Sequence, residues 1–173
     1  MRLFIAIQFE KKILDAVTDF QDDLKAQGVT GNYTLRENLH ITLAFIGEYG
    51  KPDDILDVME QVDLFPVEIR LEGVGRFGDL FWVGLSENPD LMGYVKRLRR
   101  KLSEYGIPYD KKRFTPHITV IRKASYRNGH IPIMEAPGGC MKATKVSLMR
   151  SDRGRYGMIY TEVGAVESTE MLQ

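Results

Sequence analysis

Apolar residues recur along this chain in two rhythms, and together they predict a mixed fold. Residues 2–9, RLFIAIQF, form an apolar run of strand length. Ile13, Leu14, Val17, Phe20 and Leu24 then follow at helical spacing, with Gly28 as a stop. A second apolar run, NLHITLAFIG at 38–47, comes after the polar segment TLREN, and KPDDILDVMEQV predicts a short helix starting near Pro52. PVEIRLEGVGRFG and LFWVGLS predict two strands joined as a hairpin around Gly78-Asp79. In NPDLMGYVKRLRRKLSEYG, Asn88 suits an N-cap, Pro89 a first turn and Gly106 a stop; Leu91, Val95, Leu98 and Leu102 form the buried stripe. HITVIR, TKVSLMRS and GMIYTEV predict the closing strands, and no low-complexity linker divides the chain. Helices between mostly apolar strands indicate an α/β or α+β protein.

The run at 38–47 carries two polar residues that a buried strand does not need. A strand projects residues i and i+2 to one side. His40, Thr42 and Ala44 therefore share a face, while Ile41, Leu43 and Phe45 share the other, which reads as core and marks Phe45 as packing. The motif returns 77 residues later in RFTPHITVIRKA, with His117 and Thr119 on one face and Ile118 and Val120 opposite. With nine threonines in 173 positions, a threonine two places after any one histidine is roughly a one-in-twenty coincidence. Two of the three histidines show it. Each motif strand follows a strand and a helix, a repeat able to place both histidines about one cleft. Histidine is the natural proton-transfer group near neutral pH, and two flanking a reacting centre can serve as base and acid in one displacement. On a phosphodiester, the threonine hydroxyls would steady non-bridging oxygens and an arginine would add a charged fork. This scheme calls for no metal and no cofactor.

These residues also carry a family resemblance. HITLAFIG at 40–47 and HITVIR at 117–122 resemble the paired His-x-Thr motifs of the 2H phosphoesterase superfamily. Within it, the similarity is to the bacterial and archaeal RNA 2′,3′-cyclic phosphodiesterases, also called 2′-5′ RNA ligases. RLFIAI, ENLHITLAFIG, RFTPHITVIR and the late SLMRS…GRYGMIY stand in the family's order, so the resemblance spans nearly the whole chain, 1–173, as one domain of two intertwined lobes. It implies a bilobal α+β fold: two pseudo-symmetric lobes of antiparallel sheet with flanking helices, each lending one motif to a central groove. It also implies opening of a terminal 2′,3′-cyclic phosphate to a 2′-phosphate, with His40 as proton donor and His117 as acceptor. Thr42 and Thr119 would bind the phosphate, joined by Arg122. Strict alternation points Arg122 away from His117 unless the strand ends or bulges first.

Around this centre, Tyr33 and Phe114 are candidates for stacking on an RNA base, and Arg150 with Ser151 for lining the groove. His130 lies among turn residues and reads as surface. The single cysteine, Cys140, rules out an internal disulfide and a multi-cysteine metal cluster, and a zinc site would need three or four ligands in a pattern that is missing. The chain is neutral overall, yet residues 1–86 hold 8 Lys/Arg against 15 Asp/Glu, and residues 87–173 hold 16 against 9. The basic cluster KRLRRK at 96–101 reads as a solvated helix face rather than an RNA guide. The N-terminal apolar run is too short for a signal-peptide core and nothing reaches membrane-spanning length, so a cytoplasmic monomer acting on RNA ends or small cyclic-phosphate nucleotides is expected. Three other readings use the same residues: 2′-5′ RNA ligation, small-nucleotide cyclic phosphodiesterase activity, and a non-catalytic RNA-binding module. Binding alone would give no reason to keep both proton-transfer groups.

Overall fold

The computed structural model describes residues 1–168. In chain order the elements are β1 (Arg2–Gln8), α1 (Lys11–Ala26), β2 (Thr30–Tyr33), β3 (His40–Glu48), α2 (Pro52–Glu60), β4 (Val67–Phe77) and β5 (Leu80–Leu85). They continue with α3 (Pro89–Glu104), β6 (His117–Ser125), β7 (Cys140–Ala143), β8 (Lys145–Gly154) and β9 (Gly157–Glu167). The strands form two antiparallel sheets, β3-β1-β8-β9 and β2-β6-β5-β4-β7. This is the expected α+β class with two antiparallel lobes. Two short strands, β2 and β7, were not legible: TGNY has no apolar alternation, CMKA alternates over only three residues, and both are defined by their neighbours β6 and β4. Among the described residues no helix is long and apolar enough to cross a membrane.

The helices follow from local chemistry. Asn88 caps α3 by accepting from Leu91 N at 3.1 Å, and Gly106 closes it with φ +69°. The β4–β5 hairpin turns at Gly78, whose φ of +59° fits the first position of a type II′ turn. The helices pack in a crossed arrangement. α1 leaves β1 but packs on β6, and α3 leaves β5 but packs on β3, while α2 lies against α3 and β9. One core cluster, including Leu3, Ile5, Ile7, Phe20, Leu43, Val83, Leu98, Ile118 and Val120, therefore draws on both sheets. β3 and β6 meet where the sheets adjoin.

Trp82 on β5 pairs with Thr119 on β6 and Gly75 on β4, and its indole lies across Gly75, where any Cβ would overlap the ring. Gly75→Ala should displace that ring. The expected cost of about 1–3 kcal/mol lowers Tm by roughly 2–10 °C and red-shifts the fluorescence of the chain's single tryptophan. Unchanged emission and Tm would place the indole elsewhere.

Candidate active site

His40 opens β3 and His117 opens β6. In both, Nδ1 lies 2.6 Å from the backbone carbonyl two residues earlier, that of Asn38 for His40 and that of Thr115 for His117. A carbonyl only accepts, so Nδ1 carries the proton in each ring and Nε2 is the unprotonated nitrogen. Nε2 of His40 lies 2.8 Å from Thr42 Oγ1. The carbonyl of Asn38 is itself held in place. Its Nδ2 donates to Met158 O at 2.8 Å, and the preceding 3-10 turn is tied to α1 by Arg36 and Asp15 at 2.7 Å. Aromatic rings wall both imidazoles. Phe4 and Tyr160 stand 5.0 and 5.5 Å from His40, and Phe77 meets His117 edge-on at 5.7 Å.

Beyond the threonines, both motif strands break alternation at the same place. The β1–β3 register runs from Ala6↔Thr42 to Ile5↔Ala44, leaving Leu43 as an extra residue. The β5–β6 register runs from Trp82↔Thr119 to Phe81↔Ile121, leaving Val120 extra. Leu43 with Ala44, and Val120 with Ile121, are all buried in the core. Two consecutive residues thus point inward, and the next side chain returns to the histidine face. That side chain is Phe45 in β3 and Arg122 in β6. Strict alternation assigns Phe45 to the core and Arg122 away from His117; the bulges reverse both. Phe45 packs with Phe4, Ala6, Met149 and Tyr160 on the His40 side, with the Arg2 guanidinium 5.1 Å from its ring centre. Lys123, directly after Arg122, takes the left-handed φ of +55°.

A model of the 2′-5′ RNA ligase superfamily matches residues 10–155. The chain belongs to that superfamily. An RNA 2′,3′-cyclic phosphodiesterase of Methanothermobacter thermautotrophicus is 29% identical over 94% of this chain and 96% of its own length. That of Archaeoglobus fulgidus is 35% identical over 70% and 72%. Among solved structures, Escherichia coli LigT complexed with 3′-AMP superposes with a TM-score of 0.81 at 25% identity, covering 98% of both chains. TT0787 of Thermus thermophilus gives 0.81 at 25%, covering 96% of this chain and 97% of its own.

In this superfamily member His40 and Thr42 stand on β3, and His117, Thr119 and Arg122 on β6, the two strands that meet where the sheets adjoin. Burial is the main cause that pushes the pKa of His40 below its ordinary 6.5; the Asn38 carbonyl opposes it, while the charges of Arg122 and His117 add to it. The remaining candidates are dispersed. Tyr33 pairs with Ile121 on the core face, donates its hydroxyl to Val29 O at 2.7 Å and lies under Lys25. Phe114 sits against Arg99, lining a cavity of about 510 Å³ with Tyr109 and Met92. Arg150 pairs with Leu3, on the face opposite Phe4, and binds Asp152 at 2.9 Å; Ser151 is on the groove face opposite Arg2. The basic cluster is not wholly a solvated face, because Arg99 turns inward onto the carbonyls of Leu43 and Lys112.

Asn38, Phe45, Phe77, Tyr160, Gln21 and Arg99 were not singled out by sequence reasoning as parts of the site. Gln21 and Arg99 did leave a signal, since each is a polar residue one turn after a stripe residue, Val17 or Val95.

The electrostatics can be read by following the imidazole resonances of His40 through a pH titration. His40 should titrate below 6.5 in the ligand-free protein, and Arg122→Ala should raise that value. The unfolded chain takes up this proton at a higher pH than the folded chain. His40 therefore withdraws stability as pH falls below about 6.5, and withdraws none above it. An unmoved titration in Arg122→Ala would mean that Arg122 does not face His40.

Proposed function

We propose that this protein is an RNA 2′,3′-cyclic phosphodiesterase that hydrolyses a terminal 2′,3′-cyclic phosphate to a 2′-phosphomonoester. The observation that carries this reading is the paired geometry of the motifs: two rings, each with Nδ1 fixed on a carbonyl and Nε2 left as the atom that can exchange a proton, on strands that meet between the sheets. The names of the relatives support the same substrate class.

The reaction closes on protein groups alone. His117 Nε2 accepts a proton from water as the water oxygen bonds to phosphorus. The P–O3′ bond breaks, and the 3′ oxygen takes a proton from His40 Nε2. His40 ends neutral and His117 protonated, and exchange with solvent resets both. Thr42, Thr119 and Arg122 hold the non-bridging oxygens, where charge builds up in the transition state. The donor role requires His40 to carry a second proton, which its burial disfavours. The anionic phosphate supplies the compensating charge, so substrate binding loads the acid. The assignment of donor and acceptor follows the family resemblance. With a 5′-hydroxyl in place of water, the same displacement by the same two groups joins two RNA ends through a 2′-5′ linkage. Both motifs lie in one chain, so a monomer suffices for activity.

A short RNA ending in a 2′,3′-cyclic phosphate should be turned over in excess EDTA, giving a 2′-phosphate end. His40→Ala and His117→Ala should each lower kcat by about 10²-fold or more, and kcat/KM should be bell-shaped around neutrality. RNA affinity retained in His40→Ala separates catalysis from binding. Equal activity in the variants, or a profile flat from acid to alkaline pH, would overturn the two-histidine mechanism.

A further inference from the structure

A bulge interrupts the strand ladder and leaves buried carbonyls to be satisfied from elsewhere. At the β6 bulge the carbonyl of Val120 accepts from Gln21 Nε2 at 3.0 Å and from Thr34 N at 3.0 Å. The same Gln21 nitrogen lies 2.9 Å from the Thr34 carbonyl, at the end of β2. Gln21 belongs to α1, is only 4% exposed, and falls on the helix's buried stripe between Val17 and Leu24. A leucine or methionine would pack there without any polar group to satisfy. The other lobe repeats the device with different chemistry. At the β3 bulge the Leu43 carbonyl accepts from Arg99 of α3, through Nε at 3.1 Å and Nη2 at 2.9 Å. In both lobes the braced carbonyl belongs to the extra residue, three positions after the motif histidine. In both, the donor comes from the helix that packs on that strand.

We propose that Gln21 is a positioning residue for Arg122: its amide holds the Val120 carbonyl in the bulged geometry that turns Arg122 into the groove. The inference rests on the reading of Arg122 as a phosphate ligand. The bulge decides the side on which Arg122 emerges, because a regular β6 would send it away from His117 and Thr119. Without the amide, the Thr34 carbonyl loses a side-chain donor and the Val120 carbonyl keeps only Thr34 N. The β2–β6 pairing that borders Arg122, Asn32↔Arg122 and Tyr33↔Ile121, is then free to loosen. Arg122 would lose its fixed direction while His117 and Thr119, on the near side of the bulge, keep theirs.

Inorganic phosphate is the probe that needs no turnover. Its binding is followed through the imidazole resonances of His40 and His117 in wild type, Gln21→Met, Arg122→Ala and the double variant. Gln21→Met should weaken phosphate about tenfold, in the range of one charge-assisted hydrogen bond, and should change it less than about twofold once Arg122 is alanine. A merely structural glutamine predicts additive losses, and additivity would overturn the proposal. So would wild-type affinity in Gln21→Met, or wild type failing to bind phosphate at all. Arg99→Met, at the opposite bulge, should remain additive with Arg122→Ala; coupling of equal size there would also overturn the specific link. Should Gln21→Met not fold, Gln21→Asn, whose amide is withdrawn by about one methylene, carries the same expectation. Turnover of the cyclic-phosphate RNA, measured on the same proteins, separates the two readings. Turnover without coupling overturns the role of Gln21 and leaves the function; coupling without turnover does the reverse.

Discussion

A β-strand offers one face to every second residue, and the site of this protein has to work around that constraint. A histidine and a hydroxyl two positions apart satisfy it; a side chain five positions after the histidine does not. One extra residue, Leu43 in β3 and Val120 in β6, changes the parity and brings the fifth position back to the histidine face. The interruption lies inside the core, where an unpaired carbonyl costs about 1–3 kcal/mol. Side chains from the helices packed on those strands supply donors there: Arg99 reaches the Leu43 carbonyl, and Gln21 joins the Thr34 backbone N–H on that of Val120. The catalytic face and the polar residues buried beneath it are two sides of one solution.

The crossed packing of the helices gives this solution its reach. α1 starts from the four-stranded sheet and braces a strand of the other; α3 does the converse. Each half of the groove is thereby supported by a helix launched from the opposite lobe, and a single core holds both histidine strands in register. The same interleaving dissolves the charge asymmetry along the chain. Each sheet takes strands from both the acidic first half and the basic second half, so neither lobe inherits one sign.

The halves match in geometry and differ in chemistry. Both imidazoles are pinned at Nδ1, both are followed by a threonine, and both strands bulge at the third position. The fifth position then places phenylalanine beside His40 and arginine beside His117. His40 lies among Phe4, Phe45 and Tyr160 with positive charge nearby, so it holds a second proton poorly. In the proposed donor role, this ties its protonation to the arrival of an anion.

Both histidines, both threonines and the alternation of helices with strands were legible in the sequence, because spacing of two and of three to four residues is local information. Tertiary structure decided the rest. Phe45 and Arg122 changed sides, Tyr33 turned to the core, and of the two β8 candidates Ser151 took the groove face while Arg150 was paired with Leu3. TGNY and CMKA became strands because β6 and β4 offered them hydrogen bonds, and Gln21 and Arg99 found their partners 99 and 56 residues away. A bulge marks its own strand only as a doubled apolar position, Leu43-Ala44 or Val120-Ile121, which a fully apolar strand shows as well, since it is defined by the residues it fails to pair with. Which carbonyl it frees, and which distant side chain reaches that carbonyl, exists only once the sheets and helices have packed.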